Sequence, residues 1–442
     1  MLGRKSGAFS NANVFAILQK QECLQDRQMG IEMQNVNEKS TKREIKYLAP
    51  TPRFAMIQGS FWMSFCIIFG YVSVYLLSKG FSNSEIGIVI AVAGAISAFL
   101  QPLVADFADK TTKISLRYII SFFSLLIILV AIVLLIPGLH VLWIAIFYGT
   151  AVAGLQILTP LTNAIGMECV NRGIPVNFGL ARGIGSISYA AVSYVAGRVV
   201  TTFSTDAIPV MIILLYVILI IATLSFRFPQ SLPVDKTEKN KTQKDGKVKG
   251  QKSFFATNRK FFLLLVGVTF SFISHNLINN YMFQIMQYHG GGSSEMGTAL
   301  AIAATLELPT MLGFVYIIRK FNSGILLKVS GAFFFVKAIL MFLAPNIVGI
   351  YISQGAQILA FALQVPASVY YVNSLMQPED RVKGQAFMTA TNTLGSIGGS
   401  LIGGVVLDYC GVKIFLLVSV LVAGIGMLII FAASEKVNQE YR

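Results

Sequence analysis

Long apolar stretches, interrupted by short polar ones, set the pattern of this chain. Tyr118 to Met167 is a run of 50 residues without one Asp, Glu, Lys or Arg, and Ala338 to Pro378 is another of 41. About 20 apolar residues in a helix cross the hydrocarbon of a bilayer, so each run holds two spans and a turn. Reading the whole chain this way predicts twelve spans. In the first half they run over 54–78, 84–107, 114–136, 139–166, 178–203 and 207–227. In the second half they run over 260–287, 295–318, 324–344, 347–375, 383–407 and 412–433. A transmembrane β-barrel would show alternating segments of roughly 10 residues, and none is visible. The pattern predicts an all-α integral membrane protein of two six-helix bundles, 54–227 and 260–433.

The polar segments complete the layout. Residues 1–53 contain no long apolar core and read as a disordered cytoplasmic tail, which leaves the first span as the insertion signal. Residues 228–259 read as a flexible basic linker, and 434–442 as a short cytoplasmic tail.

Composition narrows the class. The chain is 55% hydrophobic and 12% charged, where soluble domains carry roughly a quarter charged residues. Its net charge of +15 is concentrated, with nine Lys/Arg in 1–53 and nine more from Lys236 to Lys260. Basic residues gathered in alternate loops follow the positive-inside rule, so the charge points to a membrane surface and its lipids, not to nucleic acid. Both termini, the linker and the turns holding Lys110, Arg117, Arg172, Arg319 and Arg381 fall on one side, expected to be cytoplasmic; the location expected is a plasma membrane, of bacterial inner-membrane type. Cys23, Cys66, Cys169 and Cys410 are scattered, with neither CxxC nor metal-ligand spacing.

The halves resemble each other weakly. Pro102 before Asp109-Lys110 recurs as Pro309 before Arg319-Lys320, and Gly185-Ser186-Ile187 recurs as Gly395-Ser396-Ile397, at offsets of 207 and 210 residues. Internal symmetry of this kind marks transporters built from two related halves.

Charges inside spans carry the most information, because inserting one into a bilayer costs roughly 2.5–3.5 kcal/mol. Glu307 in span 8 and Lys337 in span 9 fall at similar depth. They read as a substrate or proton site with Glu307 titrating, or as a structural ion pair. Arg182 opens span 5 and is either a binding residue or a snorkelling one, with Glu168 a candidate partner. His275, Asn276, Asn279, Asn280 and Gln284 make a polar stripe on span 7; Asn163, Gln364 and Tyr71 are further candidates for a cavity wall. Each of these could equally serve helix packing. No phosphate loop, zinc motif or nucleophile elbow is present, so neither an enzyme nor a bound cofactor is expected.

The run Gln101-Pro102-Leu103-Val104-Ala105-Asp106-Phe107-Ala108-Asp109-Lys110, with Lys113 and Arg117 after it, resembles the cytoplasmic signature of the major facilitator superfamily. Asp109 and Lys110 match its acidic and basic core, while Ala105 stands where the motif has Gly. The resemblance implies that Asp109, Lys110 and Arg117 form a cytoplasmic gate. A finer resemblance is to the branch containing lactose permease, nucleoside–proton symporters and phenylpropionate permeases. It rests on Phe178-Gly179-Leu180-Ala181-Arg182 and on Glu307 in Leu306-Glu307-Leu308-Pro309, with Lys337 where lactose permease has an Arg. Gln364 stands where lactose permease has its proton-releasing Glu. The resemblance implies a secondary transporter that takes up a small polar or weakly acidic solute, of the sugar, nucleoside or aryl-carboxylate class, by alternating access with the proton as coupling ion; a monomer is expected. A multidrug/proton antiporter of the same fold is the alternative, followed by a non-transporting membrane protein.

Overall fold

The computed structural model describes residues 50–111, 114–171, 176–226, 258–377 and 380–437. The expected tail 1–53, linker 228–259 and end 434–442 lie largely outside these residues. Every regular element among the described residues is helical. Helix α1 (Pro50–Phe65) passes through a π-turn at Cys66–Gly70 into α2 (Val72–Ser78), followed by α3 (Asn83–Lys110), α4 (Leu116–Val133), α5 (Val141–Asn171), α6 (Phe178–Phe203) and α7 (Ala207–Ser225). The second half holds α8 (Arg259–Asn280), α9 (Met282–Tyr288), α10 (Ser293–Lys320) and α11 (Ser323–Leu343). Then come α12 (Ile347–Gln354), a 3-10 turn at Gly355–Ile358, α13 (Phe361–Leu375) and α14 (Arg381–Ala433).

Among the described residues nine helical segments are long and apolar enough to cross a membrane, and α1 with α2 makes a tenth across a 42° bend. Helix α6 is 26 residues long but carries Arg182 and Arg198. The 53-residue α14 is divided at Gly411, whose φ of 76° is a backbone state that glycine reaches without steric penalty. Counting α6 and both parts of α14, the layout is consistent with twelve passes. Phe99, Phe122, Ile221 and Leu428 are exposed on the outside of the bundle. Such a surface is unfavourable against water and ordinary against lipid.

Capping repeats between the halves. At α3, the Ser82 hydroxyl accepts the Glu85 N–H at 3.3 Å while the Glu85 carboxylate takes the Ser82 N–H at 2.8 Å. At α10, 210 positions on, the Glu295 carboxylate takes the Gly292 N–H at 2.8 Å. Both reach-back bonds satisfy a donor that the helix start would otherwise leave free. The preceding turns match too. Gly80 and Phe81 donate to Leu77 and Leu76 at 3.0 and 3.1 Å, and Gly290 and Gly291 to Gln287 and Met286 at 3.0 and 2.8 Å. The triple-glycine turn is thus a hydrogen-bonded helix end.

Two helix pairs join the halves, α6 against α10 and α3 against α14. They meet closely at the end of the molecule away from Pro50 and Val437. There Gly197 abuts the Ser293 backbone and Gly404 the Asn83 backbone. The Asp408 carboxylate accepts from the Asn83 N–H, the Asn83 side chain and the Ser84 N–H at 3.1, 2.8 and 2.7 Å. Lys79 pairs with Asp206 at 2.6 Å nearby.

Three spans expected to be continuous are broken. Spans 1 and 7 break at Tyr71 and Tyr281, and span 10 breaks at the 3-10 turn, not at Pro366, which sits inside α13. Neighbours support the backbone at the last break. The Thr310 hydroxyl donates to the Ile358 carbonyl at 2.6 Å, and the Ser330 hydroxyl donates at 2.8 Å to the Ala360 carbonyl, which also accepts the Gln364 N–H at 3.0 Å. Irregular backbone is tolerated at membrane depth under this condition.

Candidate functional site

A cavity of about 430 Å³ lies between the halves, within the size range of small-molecule sites. Its first wall is aromatic. Trp62, Phe65 and Phe69 lie on successive turns of span 1, with ring centroids 5.1 and 5.4 Å apart. The wall opposite is polar, with His275, Asn276, Asn279 and Asn280 of span 7. Span 5 adds Arg182, Ser186 and Tyr189, span 8 adds Glu307, and the broken span 10 adds Gln357 and Phe361.

The repeated Gly-Ser-Ile motif has a packing cause. Gly185 lies against the Trp62 indole, and Gly395 lies against Phe272, 210 positions after Trp62. A side chain at Gly185 would push the indole out of the wall, and one at Gly395 would run into the Cβ and backbone of Phe272. The indole is also fixed by hydrogen bonds. Trp62 Nε1 donates to Gln58 Oε1 at 3.0 Å, and Gln58 Nε2 donates to Asn163 Oδ1 at 2.9 Å.

Arg182 stacks on this indole, its guanidinium 3.9 Å from the ring centroid, and donates to Ser186 Oγ at 2.9 Å. Among the described residues no carboxylate lies within ion-pair distance of Arg182, and Glu168 makes no such pair with it. Glu307 and Lys337 are both buried, as expected from their depth, but they do not touch. Gln357 stands between them. Lys337 Nζ donates to Gln357 Oε1 at 2.6 Å, and Gln357 Nε2 donates to Glu307 Oε1 at 2.8 Å. The amide passes the complementarity of the two charges from span 9 to span 8, and only Glu307 of the pair faces the cavity. His275 stacks on Phe361 with centroids 4.9 Å apart, and Asn279 Nδ2 lies 2.8 Å from its Nε2. Its Nδ1 is buried without a partner.

Thus Glu307, Arg182, His275, Asn163 and Asn279 share one cavity, and Lys337 reaches it through Gln357. Two expected wall residues lie elsewhere. Tyr71 is fully buried and donates to the Ser193 carbonyl at 2.6 Å, away from the cavity. Gln364 is buried within its own helix and donates to Ser368 Oγ at 3.1 Å. The expected gate residues are engaged locally. Lys110 pairs with Asp106 at 2.7 Å, Arg117 stacks on Tyr118 at 4.8 Å, and the Asp109 side chain lies outside the described residues. Sequence reasoning missed Gln357 and Trp62. Gln357 sits in a break that periodicity does not reveal, whereas the i, i+3, i+7 spacing of Trp62, Phe65 and Phe69 was visible and reads as ordinary packing.

The chain matches the MFS_1 like family over residues 60–418. It is 24% identical over 410 residues to the uncharacterized transporter YwbF of Bacillus subtilis (strain 168), covering 87% of this chain and 94% of that one. It is 23% identical over 402 residues to the maltose permease of Geobacillus stearothermophilus, covering 88% and 96%. Among solved structures, the nucleoside transporter NupG superposes with a TM-score of 0.67 at 18% identity, covering 86% of this chain and 96% of that one. A D-xylose–proton symporter superposes with a TM-score of 0.65 at 12% identity, covering 90% and 99%. At these identities the solved structures speak for the fold. The helical layout, the cavity between the halves and the family match agree: this chain is a multi-pass membrane transporter, not an enzyme, and it belongs to the MFS_1 like family of the major facilitator superfamily.

Proposed function

We propose that the protein takes up a small polar or weakly acidic solute together with a proton, by alternating access of the central cavity. The observation that carries this reading is Glu307, a buried carboxyl on the cavity wall joined through Gln357 to Lys337 and facing the Arg182 side. The two halves, 54–227 and 260–433, rock about this midplane site. In this reading the end sealed by Asp408, Asn83 and Ser84 is extracellular. Both termini and the linker are cytoplasmic, in a cell membrane of bacterial type, and the working unit is the monomer. Lys110 and Arg117, held within their own half, are the gate in its released state.

Glu307 takes the proton. Ionised, it accepts from Gln357 and balances Lys337 across the amide; protonated, it also offers an O–H to a solute in the cavity. When the proton leaves, Glu307 again balances Lys337 across the amide. The maltose permease, the nucleoside transporter and the D-xylose–proton symporter among the relatives support a small hydroxylated cargo. No cofactor besides the proton enters the cycle, and nucleic acid has no part in it.

The test uses full-length protein in liposomes with radiolabelled maltose, uridine, D-xylose and 3-phenylpropionate. Wild type is expected to concentrate at least one of them when the interior is alkaline. Glu307→Gln is expected to exchange that solute down its gradient without concentrating it. Full pH-driven accumulation by Glu307→Gln would overturn the role given to this residue.

A further inference from the structure

The proton-coupled reading leaves the charge of the solute open, and the cavity carries an imbalance that bears on it. Among the described residues the charged groups on its wall are Arg182 and Glu307, and Lys337 lies behind the wall, joined to Glu307 through Gln357, so that two cations stand against one carboxylate. His275 stands between Phe361 and Asn279. The other polar groups on the wall are neutral, among them Gln101, Gln156, Asn276, Asn392 and Thr393. The two cations are not equivalent. Lys337 is matched to Glu307 through Gln357, whereas Arg182 has the Trp62 face and one hydroxyl. A guanidinium carries five N–H donors in a planar fork suited to a carboxylate, and the bond to Ser186 uses one. A desolvated charge needs an opposite charge to offset its loss of water. The aromatic ladder Trp62–Phe65–Phe69 runs beside this fork.

We propose that the solute is an organic monoanion with a flat apolar body, its acidic group held by Arg182 and its body by the ladder, and that it crosses with one proton on Glu307 so that no net charge moves. This deepens the proton-coupled reading and rests on it. An anion at Arg182 offsets the positive charge that a proton on Glu307 adds, so the loaded and the empty cavity carry the same net charge. A proton on Glu307 strengthens anion binding, so the two loads enter together and leave together. The electrical consequence follows. One anion with one proton is insensitive to membrane potential, whereas a neutral sugar with a proton is driven by it.

The experiment titrates purified full-length protein with 3-phenylpropionate, its sulfonate analogue, its neutral amide and maltose, reading the melting temperature, which rises for any ligand that prefers the native state. The two acids are expected to bind and the two neutral probes to fail. Arg182→Gln is expected to weaken the acids at least tenfold, and Arg182→Lys to recover part of that loss, which separates charge from a folding defect. Uptake is then followed with the sulfonate, which does not leak through lipid as a neutral acid, against protein-free liposomes. It is expected to follow a pH gradient and to ignore a potassium–valinomycin potential. Equal or better binding of the amide or maltose, unchanged acid binding in Arg182→Gln, or binding of none of the four overturns the monoanion assignment and leaves proton coupling to the Glu307→Gln test. Uptake that responds to the potential overturns the electroneutral stoichiometry. Binding of the acids without pH-driven uptake overturns the coupling and leaves the charge assignment standing.

Discussion

Tyr71 and Tyr281 occupy equivalent places in the two halves, 210 positions apart, and each breaks the first span of its half. Each hydroxyl donates at 2.6 Å to a helix carbonyl, Tyr71 to Ser193 and Tyr281 to Ser400. A glycine of the opposite half closes over each pair. Gly297 packs on Tyr71 and the Ser193 carbonyl, and Gly87 on Tyr281 and the Ser400 carbonyl. The Ser73 hydroxyl donates to the Asn280 carbonyl between the two sites. The sealed end is therefore a pair of symmetric backbone contacts, and side-chain bulk at the glycines decides how closely the halves meet.

Gly297→Ala is expected to open this end. A Cβ at Gly297 would lie 2.7 Å from the Tyr71 hydroxyl, and overpacking of this kind costs roughly 1–3 kcal/mol. That energy falls on the sealed conformation and is relieved when the halves part, so the population shifts by about fivefold to 150-fold. Hydrogen–deuterium exchange checks it: amides of 78–90 and 288–300 should exchange faster in the variant. Unchanged exchange there would mean that the seal does not depend on this close approach.

Asp408→Asn is expected to loosen the same end by another route. The carboxylate sits at the start of α3 and accepts three bonds from Asn83 and Ser84. An anion at a helix N-terminus is worth about 0.3–1 kcal/mol when partly exposed. The amide keeps the shape but loses the charge and one acceptor oxygen. The effect should be smaller than that of Gly297→Ala, confined to residues near 83–88, and reduced at high salt. Faster exchange near 193–200 as well would show instead that the two contacts open as one unit.

The spans were legible because insertion into lipid demands long apolar runs, and that demand leaves little freedom in the sequence. Span 8, read as 295–318, forms as Ser293–Lys320, and span 5 forms over Phe178–Phe203 as read. The breaks were not legible. Tyr71 and Tyr281 resemble any buried aromatic, and their tertiary partners cause the irregular backbone. Span 10 shows the consequence for the site. Gln364 reads from the sequence as a polar wall residue, whereas the 3-10 turn brings Gln357 between Glu307 and Lys337. Intramembrane charges could be found from the sequence because they are expensive wherever they lie. The neutral amide that joins them carries no such signal.

Trp62 is expected to matter through Arg182. An indole 3.9 Å under a guanidinium contributes roughly 0.5–2 kcal/mol, more when the site is desolvated. Trp62→Phe keeps a weaker π face and should lower the melting temperature modestly. Trp62→Leu removes that face and should lower it further. In an Arg182→Gln background the difference between Phe and Leu should shrink toward zero. A difference that persists there would assign the indole to wall packing alone.

The Lys337–Gln357–Glu307 relay makes the sharpest prediction, because it ties two charges that do not touch. Removing one charge leaves the other buried without its complement, a loss of about 3–5 kcal/mol for buried pairs. Lys337→Gln and Glu307→Gln should each destabilise the protein, and the double variant should be more stable than the sum of the single losses requires. A coupling energy of about 0.5–3 kcal/mol is the range for side chains in one network. Repeating the cycle with Gln357→Leu discriminates the mechanism. If the amide carries the coupling, the energy collapses when Gln357 is apolar. If the charges sense each other directly through the low-dielectric interior, the coupling survives or grows. Melting curves of the eight proteins, taken at one pH and in one detergent, decide between these outcomes, and survival of the coupling would remove Gln357 from the relay.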